Sequence, residues 1–352
     1  MKPTTACVIN FNGETQLSAT LAALAASQPP LAEILVVDNA STDSSVELTR
    51  ARFPNVRIVP IAENHGPGVA RNVGLAAATN DRILFVDNDV RVRPGAAELL
   101  SLALDAAPRA VAAAPRVLFE GRPDTIQYEG ANAHYLGLQA LRHGERPDAE
   151  TPAQTTVTSS IVTACFLLDR QRWGTSPAFD ETFFFNYEDH DFGLRARIAG
   201  HDVLAVGGAR VVHGSGTPDL SHRPGREFSR TRVACLMRNR WQILAKNYAL
   251  RSLILFAPML VLYELFQMIG AARRGWLGVW GESLGWIVRH RRSLEERRAR
   301  VQAGRKVADR DILVDGPLPF TSDLARTAAE RAARAMLDDS AQAYWAVARR
   351  LL

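Results

Sequence analysis

Cysteine is scarce in this chain. Cys7, Cys165 and Cys235 are the only three in 352 residues, and they lie far apart, without metal-ligand spacing, among apolar neighbours. No disulfide framework or thiolate metal site is expected, and all three read as reduced core thiols. Unbroken apolar runs of membrane-spanning length are missing as well. Leu253 to Tyr263 is uncharged and mostly apolar, but Arg251 and Glu264 bound it and Pro258 interrupts it. It falls short of the roughly 20 residues a spanning helix needs, so a monotopic or buried helix is expected. The opening Met1-Lys2-Pro3-Thr4-Thr5 has no charged n-region, long apolar h-region or small-residue cleavage site, and the protein is expected to stay in the cytoplasm. The glycine triplet of a dinucleotide fold is also lacking. Asn10-Phe11-Asn12-Gly13 follows the first apolar run, Gly66-Pro67-Gly68 has no third glycine at the required offset, and no phosphate-loop lysine motif occurs. These absences count against a nicotinamide oxidoreductase.

What is present is a globular composition. An apolar fraction of 47% over 352 residues supports one large domain with a smaller appendage. The net charge of +5 is not spread evenly, because its excess lies late, in Arg289 to Lys306. No internal repeat is found.

Short β-branched runs occur at Ala6 to Ile9, Ile34 to Val37, Val56 to Val59 and Ile83 to Val86, the first, second and fourth reading as buried strands. Helix-compatible patterns fall between them at Gln16 to Ala26, Ser44 to Phe53 and Val69 to Ala78. Ser44 and Glu47 are spaced as a capping box, and Pro67 stands near a helix start. Strand alternating with helix implies a parallel α/β sheet. Beyond residue 110, Val111 to Phe119, Ile161 to Leu168 and Asp202 to Val206 are candidate strands, with a helix at about Glu188 to Ala199, and a mixed sheet is expected there. Gly214 to Arg226 reads as a loop or boundary.

In such sheets ligands bind beyond the carboxyl ends of the strands, which here carry Asn10 and Asn12, Asp38 and Asn39, and Asp87-Asn88-Asp89. Carboxylates held at a sheet edge offer hard oxygen ligands for Mg2+ or Mn2+ bridging a diphosphate, although a polar turn explains the triplet taken alone. Asp38 is placed to accept hydrogen bonds from a base or ribose, and Arg71, one turn into a helix, to contact diphosphate oxygens. Glu188, Asp189 and Asp191 surround a helix start, where they either complement the helix dipole or include a base for an acceptor hydroxyl. Phe183-Phe184-Phe185 before them is a candidate apolar wall. His213, after a short apolar strand, is a candidate nitrogen ligand for the metal.

Taken in order, Val8 to Asn12, Val36 to Asp43, Val69 to Asn72, Asp87 to Asp89 and Glu188 to Asp191 resemble family 2 glycosyltransferases of the GT-A fold, in their bacterial rhamnosyltransferase-like branch. The resemblance covers about residues 5 to 215. It implies a Rossmann-like mixed, mainly parallel sheet with flanking helices. It further implies that Asp38 reads the nucleobase, Arg71 lies near it or the diphosphate, Asp87 touches ribose or metal, and Asp89 ligates the metal. Asn10, Asn12, Asn39 and Asn88 join the nucleotide-sugar site on this reading. Asp189 is the implied catalytic base of an inverting transfer, Glu188 and Asp191 position the acceptor, and His213 looks like the later histidine that joins the metal in several relatives. A Gln-x-x-Arg-Trp segment of processive synthases is lacking, since Arg238-Asn239-Arg240-Trp241 has no glutamine. Single-sugar transfer is therefore favoured.

The expected organisation is a nucleotide-sugar-binding and catalytic domain over 1–215, an acceptor-side loop and connecting helix over 216–250, and a helical membrane-associating region over 251–352. The implied donor is a nucleotide-diphosphate sugar, dTDP-rhamnose or otherwise a UDP-sugar, and the implied acceptor a glycan or lipid-linked molecule. Loops such as Gln127 to Leu138 and Thr217 to Phe228 are expected to shape the choice of substrate. Interleaved Trp and Arg from Arg273 to Arg292 fit the inner-membrane surface better than nucleic acid, which would predict aromatic and basic residues along a polar groove. A non-catalytic nucleotide- or membrane-binding α/β protein is the competing reading.

Overall fold

The computed structural model describes residues 1–214, 229–319 and 327–352. The 217–228 loop and most of the 214–226 boundary segment lie outside these residues. Strand and helix alternate from the start: β1 (Thr4–Asn10), α1 (Leu17–Ala25), β2 (Glu33–Asn39), α2 (Ser45–Arg52), β3 (Arg57–Ile61), α3 (Pro67–Ala77) and β4 (Arg82–Asp87). The middle carries β5 (Val90–Val92), α4 (Ala96–Ala106), β6 (Ala110–Phe119), β7 (Arg122–Glu129), β8 (Ala131–His134), β9 (Leu138–Leu141) and β10 (Thr155–Thr158). It continues through β11 (Cys165–Asp169), a one-turn α5 (Arg170–Trp173), α6 (Glu188–Ile198) and β12 (Asp202–His213). The rest is mainly helical: α7 (Arg230–Asn247), α8 (Leu250–Arg273), α9 (Leu277–Arg289), α10 (Arg291–Ala303), the two-residue β13 (Leu313–Val314) and α11 (Ala328–Ala348).

The main sheet runs β10-β12-β6-β11-β4-β1-β2-β3, with β5 added to β12 and β7 to β6. Strands β3, β2, β1 and β4 are parallel, and β11 lies antiparallel between β4 and β6. The two-residue period of a strand explains why these runs are apolar throughout. Ala6 and Val8 enter a core shared with Leu21 of α1 and Leu100 of α4, while Cys7 and Ile9 enter the opposite core, with Ala70 of α3 and Phe192 of α6. All three cysteines are free and buried.

A third core joins the helical region to a small sheet, β13-β8-β9. Tyr135 stacks on Trp345 of α11 at 5.1 Å and meets the tilted ring of Phe256 of α8 at 5.0 Å, and its hydroxyl donates to the Ala341 carbonyl. The late residues thus complete a core begun at residues 133–138.

Two local expectations are corrected. Ser44 occupies the N-cap of α2 but makes no side-chain cap, because Asp43 Oδ1 takes the Ser45 amide at 3.1 Å and hydroxyl at 2.5 Å. The apolar stretch at Leu253 is not a short helix. Helix α8 has 24 residues and runs through Arg251, Pro258 and Glu264, and among the described residues it is long and apolar enough to cross a membrane by length and composition. Glu264 does not end it because its carboxylate is paired with Arg240 of α7 at 2.9 Å and accepts hydrogen bonds from Trp241 of α7 at 2.9 Å and Trp280 of α9 at 2.8 Å. Phe256, Met259 and Tyr263 are buried on one face, whereas Ile254, Val261 and Ile269 are each more than half exposed on the other.

Candidate active site

Strand register brings the predicted polar clusters to one edge. Asn10 pairs with Asp38 on one side, and Ile9 with Asp87 on the other. Asn10 is wholly buried and ties these strands together: its Nδ2 donates to Asp38 Oδ1 (2.9 Å), Ser45 Oγ (2.9 Å) and Ser41 Oγ (3.1 Å), and its Oδ1 accepts from Asn88 Nδ2 (2.9 Å). Gly13 must be small here, since a Cβ would fall 2.3 Å from Asn10 Oδ1 and 2.5 Å from Asn88 Nδ2. Asn12 is exposed, adopts φ 51° and accepts the Thr42 amide at 2.8 Å. Asn39 is buried and donates to Asn64 Oδ1 at 2.8 Å. Asn10, Asn39 and Asn88 therefore brace the loops beneath the crevice, and Asn12 stands at its surface.

Arg71 lies deeper than a diphosphate contact requires. It is 2% exposed and its guanidinium donates to Asp87 Oδ1 (2.7 Å), Glu188 Oε1 (3.3 Å) and the Thr163 carbonyl (3.1 Å). A signal for this was present in the sequence, because Arg71 falls on the same helical stripe as Gly74 and Leu75, all buried. Helix α3 starts where Gly66, at φ 91°, passes against the Phe184 carbonyl, a contact that leaves no room for a side chain. The turn that sets Arg71 in phase thus also fixes the loop ahead of α6.

Glu188 and Asp189 open α6. Glu188 is buried, with one oxygen on Arg71 and Oε2 without a hydrogen-bond partner among the described residues, while Asp189 is half-buried and accepts the His190 amide at 2.7 Å. Burial raises both carboxyls above the usual range, and the charge of Asp189 adds to the rise at Glu188. Asp87 is raised by burial and by Asp89, against the pull of Arg71. Tyr128, buried beside Asp87, Asp89 and Asp189, has a hydroxyl with no hydrogen-bond partner among the described residues.

Asp191 takes a different place. It is fully buried, with Lys246 Nζ at 2.6 Å, Asn247 Nδ2 at 2.9 Å and Arg195 Nε at 2.7 Å, and these cations hold it below the usual carboxylate range despite burial. With both oxygens engaged inside the protein it does not face an acceptor. It lies on the buried stripe with Leu194 and Ile198. Phe183 likewise leaves the expected apolar wall for the third core, under Lys246 Nζ at 5.0 Å, while Phe184 and Phe185 stay partly exposed.

At the end of β12, His213 Nε2 lies 3.4 Å from Asp89 Oδ1, and Nδ1 meets Gln127 Oε1 at 2.9 Å. Gln127 was not singled out as a metal-site residue by sequence; its contact with Nδ1 orients the ring so that Nε2 faces Asp89. Asp89 holds the imidazole above its usual pKa against the effect of burial. Among the described residues no three His, Cys, Asp or Glu side chains converge as a ready metal site. Asp89 and His213 come together, but Asp87 spends Oδ1 on Arg71.

The family model for glycosyl transferase family 2 matches residues 5–169, the span that carries Asp38, Arg71 and the Asp87 to Asp89 turn. Residues 5–169 belong to glycosyltransferase family 2. This glycosyltransferase is 26% identical over 244 residues to the N-acetylglucosaminyl-diphospho-decaprenol L-rhamnosyltransferase of Mycobacterium tuberculosis, across 62% of this chain and 76% of that one. It is 27% identical over 225 residues to the O-antigen biosynthesis protein RfbC of Myxococcus xanthus, across 60% of this chain and 17% of that one. A crystal structure of GalNAc-T7 with UDP, GalNAc and Mn2+ shares the fold, with a TM-score of 0.55 at 15% identity over 70% of this chain and 48% of that one. The mixed, mainly parallel sheet with flanking helices is thus the GT-A architecture that the motif order implies.

Proposed function

We propose that this glycosyltransferase moves a single sugar, with inversion, from a nucleotide-diphosphate sugar to a lipid-linked acceptor in cell-surface polysaccharide synthesis. The observation that carries this reading is the pairing of a half-buried Asp189 with a buried Glu188 whose other neighbour is Arg71. Asp189, the more accessible carboxylate, ionises first and accepts the proton of an acceptor hydroxyl. The acceptor oxygen forms a bond to the anomeric carbon as the bond from that carbon to the diphosphate oxygen breaks, and the electron pair leaves on the nucleotide. Attack opposite the leaving group inverts the centre. Arg71 keeps Asp87 and Glu188 in fixed relation across the crevice, and Asp38, which accepts from Asn10 Nδ2 and the Ser41 amide, is the residue that the family resemblance assigns to the nucleobase.

The donor chemistry fits Mn2+ or Mg2+, which Asp89 and His213 would hold with Asp87 nearby. One carboxylate oxygen and one imidazole nitrogen 3.4 Å apart match the separation of two ligands on one ion. A divalent ion there would supply positive charge for the departing diphosphate. The mycobacterial relative's name supports rhamnose as the sugar and a diphospholipid as acceptor, so dTDP-rhamnose is the first donor to test, ahead of UDP-sugars. The half-exposed apolar face of α8 and the arginines at Arg273, Arg274, Arg289, Arg291 and Arg292 support peripheral docking on the inner face of the cytoplasmic membrane.

The test is incubation of the purified full chain with Mn2+ or Mg2+ and a panel of nucleotide sugars, reading thermal stabilisation and slow donor hydrolysis. One sugar nucleotide should stabilise and be hydrolysed in a metal-dependent way. Uniform silence across the panel would count against the proposal.

A further inference from the structure

We infer that Arg238 binds the diphosphate group of a lipid-linked acceptor, between the catalytic crevice and the apolar helices α8 and α9. This deepens the proposed function and rests on its reading of the acceptor. Arg238 stands on the face of α7 that borders the loop ahead of Asp189. Its neighbour Asn239 donates to the carbonyls of Phe185 (2.9 Å) and Asn186 (2.7 Å). Cys235, one turn back, meets the Phe185 backbone and lies within the fields of both Glu188 and Arg238.

The buried arginines of this protein have carboxylate partners: Arg71 has Asp87, Arg82 has Asp105 and Asp169, Arg116 has Glu129 and Asp148, Arg240 has Glu264, and Arg297 has Asp180, while the partly buried Arg298 donates to the Ala245 and Tyr248 carbonyls. Arg238 differs. It is partly buried, donates to Asn239 Oδ1 at 3.2 Å and toward Cys235 Sγ at 3.9 Å, and packs its guanidinium 4.7 Å from the Trp286 ring. Among the described residues none of these partners is an anion. Burial accordingly pulls its pKa down. Taking a guanidinium out of water without a counter-charge is unfavourable, and an anion arriving at the site removes that penalty. The planar fork of Arg matches phosphate oxygens, and stacking on Trp286 orients it.

The surroundings select an amphiphilic anion. On one side lie Glu188 and Asp189, where the accepting sugar must sit. On the other, Trp286 belongs to α9, which exposes Leu277, Leu284 and Val288 by 42–53%. A sugar, a diphosphate and a hydrocarbon chain in that order span these three environments. The donor's own diphosphate is met at the far side of the crevice, by Asp89 and His213 in our proposal.

Farnesyl diphosphate is a suitable probe, titrated by calorimetry into the purified full chain with its nucleotide site saturated by dTDP or UDP and Mg2+. Wild-type protein should bind it, and Arg238→Ala and Arg238→Met should each weaken binding about 10- to 100-fold, as expected for lost charge-assisted hydrogen bonds. Arg238→Met retains contact with Trp286, which separates lost charge from lost packing, and melting temperatures establish that both variants fold. Farnesol and phosphatidylglycerol vesicles should bind all three proteins equally. Unchanged farnesyl diphosphate affinity in both variants overturns the inference. So does a parallel loss of vesicle binding, which would assign Arg238 to lipid headgroups, or of nucleotide binding, which would assign it to the donor. Wild-type protein that hydrolyses a sugar nucleotide but ignores farnesyl diphosphate sinks this inference and leaves the transferase proposal standing.

Discussion

Lys246 is the most consequential buried charge outside the crevice. It is 1% exposed and sits between Asp180 Oδ2 at 2.5 Å and Asp191 Oδ1 at 2.6 Å, joining the loop ahead of α6, and α6 itself, to α7. Lys246→Met keeps the stem volume and removes the charge. Each carboxylate retains one arginine, Arg297 at 2.9 Å from Asp180 and Arg195 at 2.7 Å from Asp191, so the loss should fall near the lower end of the roughly 3–5 kcal/mol typical of a broken buried pair. For 352 residues, at about 2.1 cal/mol/K of unfolding entropy per residue, that is a fall in melting temperature of about 4 °C. The pH dependence has a defined sign. Both carboxyls are held below their usual range, by Lys246 and by the arginines that oppose burial, so their contribution is fully present above the unfolded pKa and disappears as pH falls through the folded value. The stability gap between wild type and Lys246→Met should therefore narrow on acidification. Adding Asp191→Asn should recover part of the loss, because the two changes share one interaction. Urea unfolding with melting curves from neutral to acid pH reads all of this. A deficit below about 1 kcal/mol, or one that does not change with pH, would show that the cluster does not hold the loop.

Other outcomes follow from the crevice. Arg71→Met should lower turnover at least 100-fold, since it frees two carboxylates at once; steady-state kinetics with melting curves would separate this from unfolding. Gln127→Ala should weaken Mn2+ affinity about 10- to 100-fold without touching a ligand, because it releases the His213 ring; metal titration checks it. The pH–rate profile should rise with deprotonation of Asp189 at a pH above the ordinary carboxylate range, and Asp189→Asn should abolish that limb. A chain truncated at about residue 250 should be insoluble rather than merely released from membranes, because Phe256, Trp345 and β13 complete a core with residues 133–138; expression and gel filtration test this.

The sequence was legible where one short run carried its own instruction. β1, β2 and β4 are apolar on both faces because helices cover both, and each ends in the polar residues that reach the crevice. β7 and β10 alternate exposure or lie largely at the surface, and β13 has two residues that pair with a strand about 180 positions earlier, so no local pattern marks them. Helix α8 was read as too short because Glu264 looks like a boundary until Arg240, Trp241 and Trp280 are brought to it. The same holds for the site. Asp87 to Asp89 and Asp189 stand where strand ends and a helix start place them, whereas Glu188 and the Thr163 carbonyl on Arg71, and Lys246 and Asn247 on Asp191, come from elements more than 50 residues away.

The assignment of Asp189 as base is tested most directly by Asp189→Asn, measured for acceptor transfer and for donor affinity on the same protein. The account predicts turnover reduced by about 100- to 10,000-fold with nucleotide-sugar affinity within about twofold of wild type, because proton removal acts in the transition state and not in donor binding. Near-normal turnover, or a donor affinity that falls in step with the rate, would contradict it.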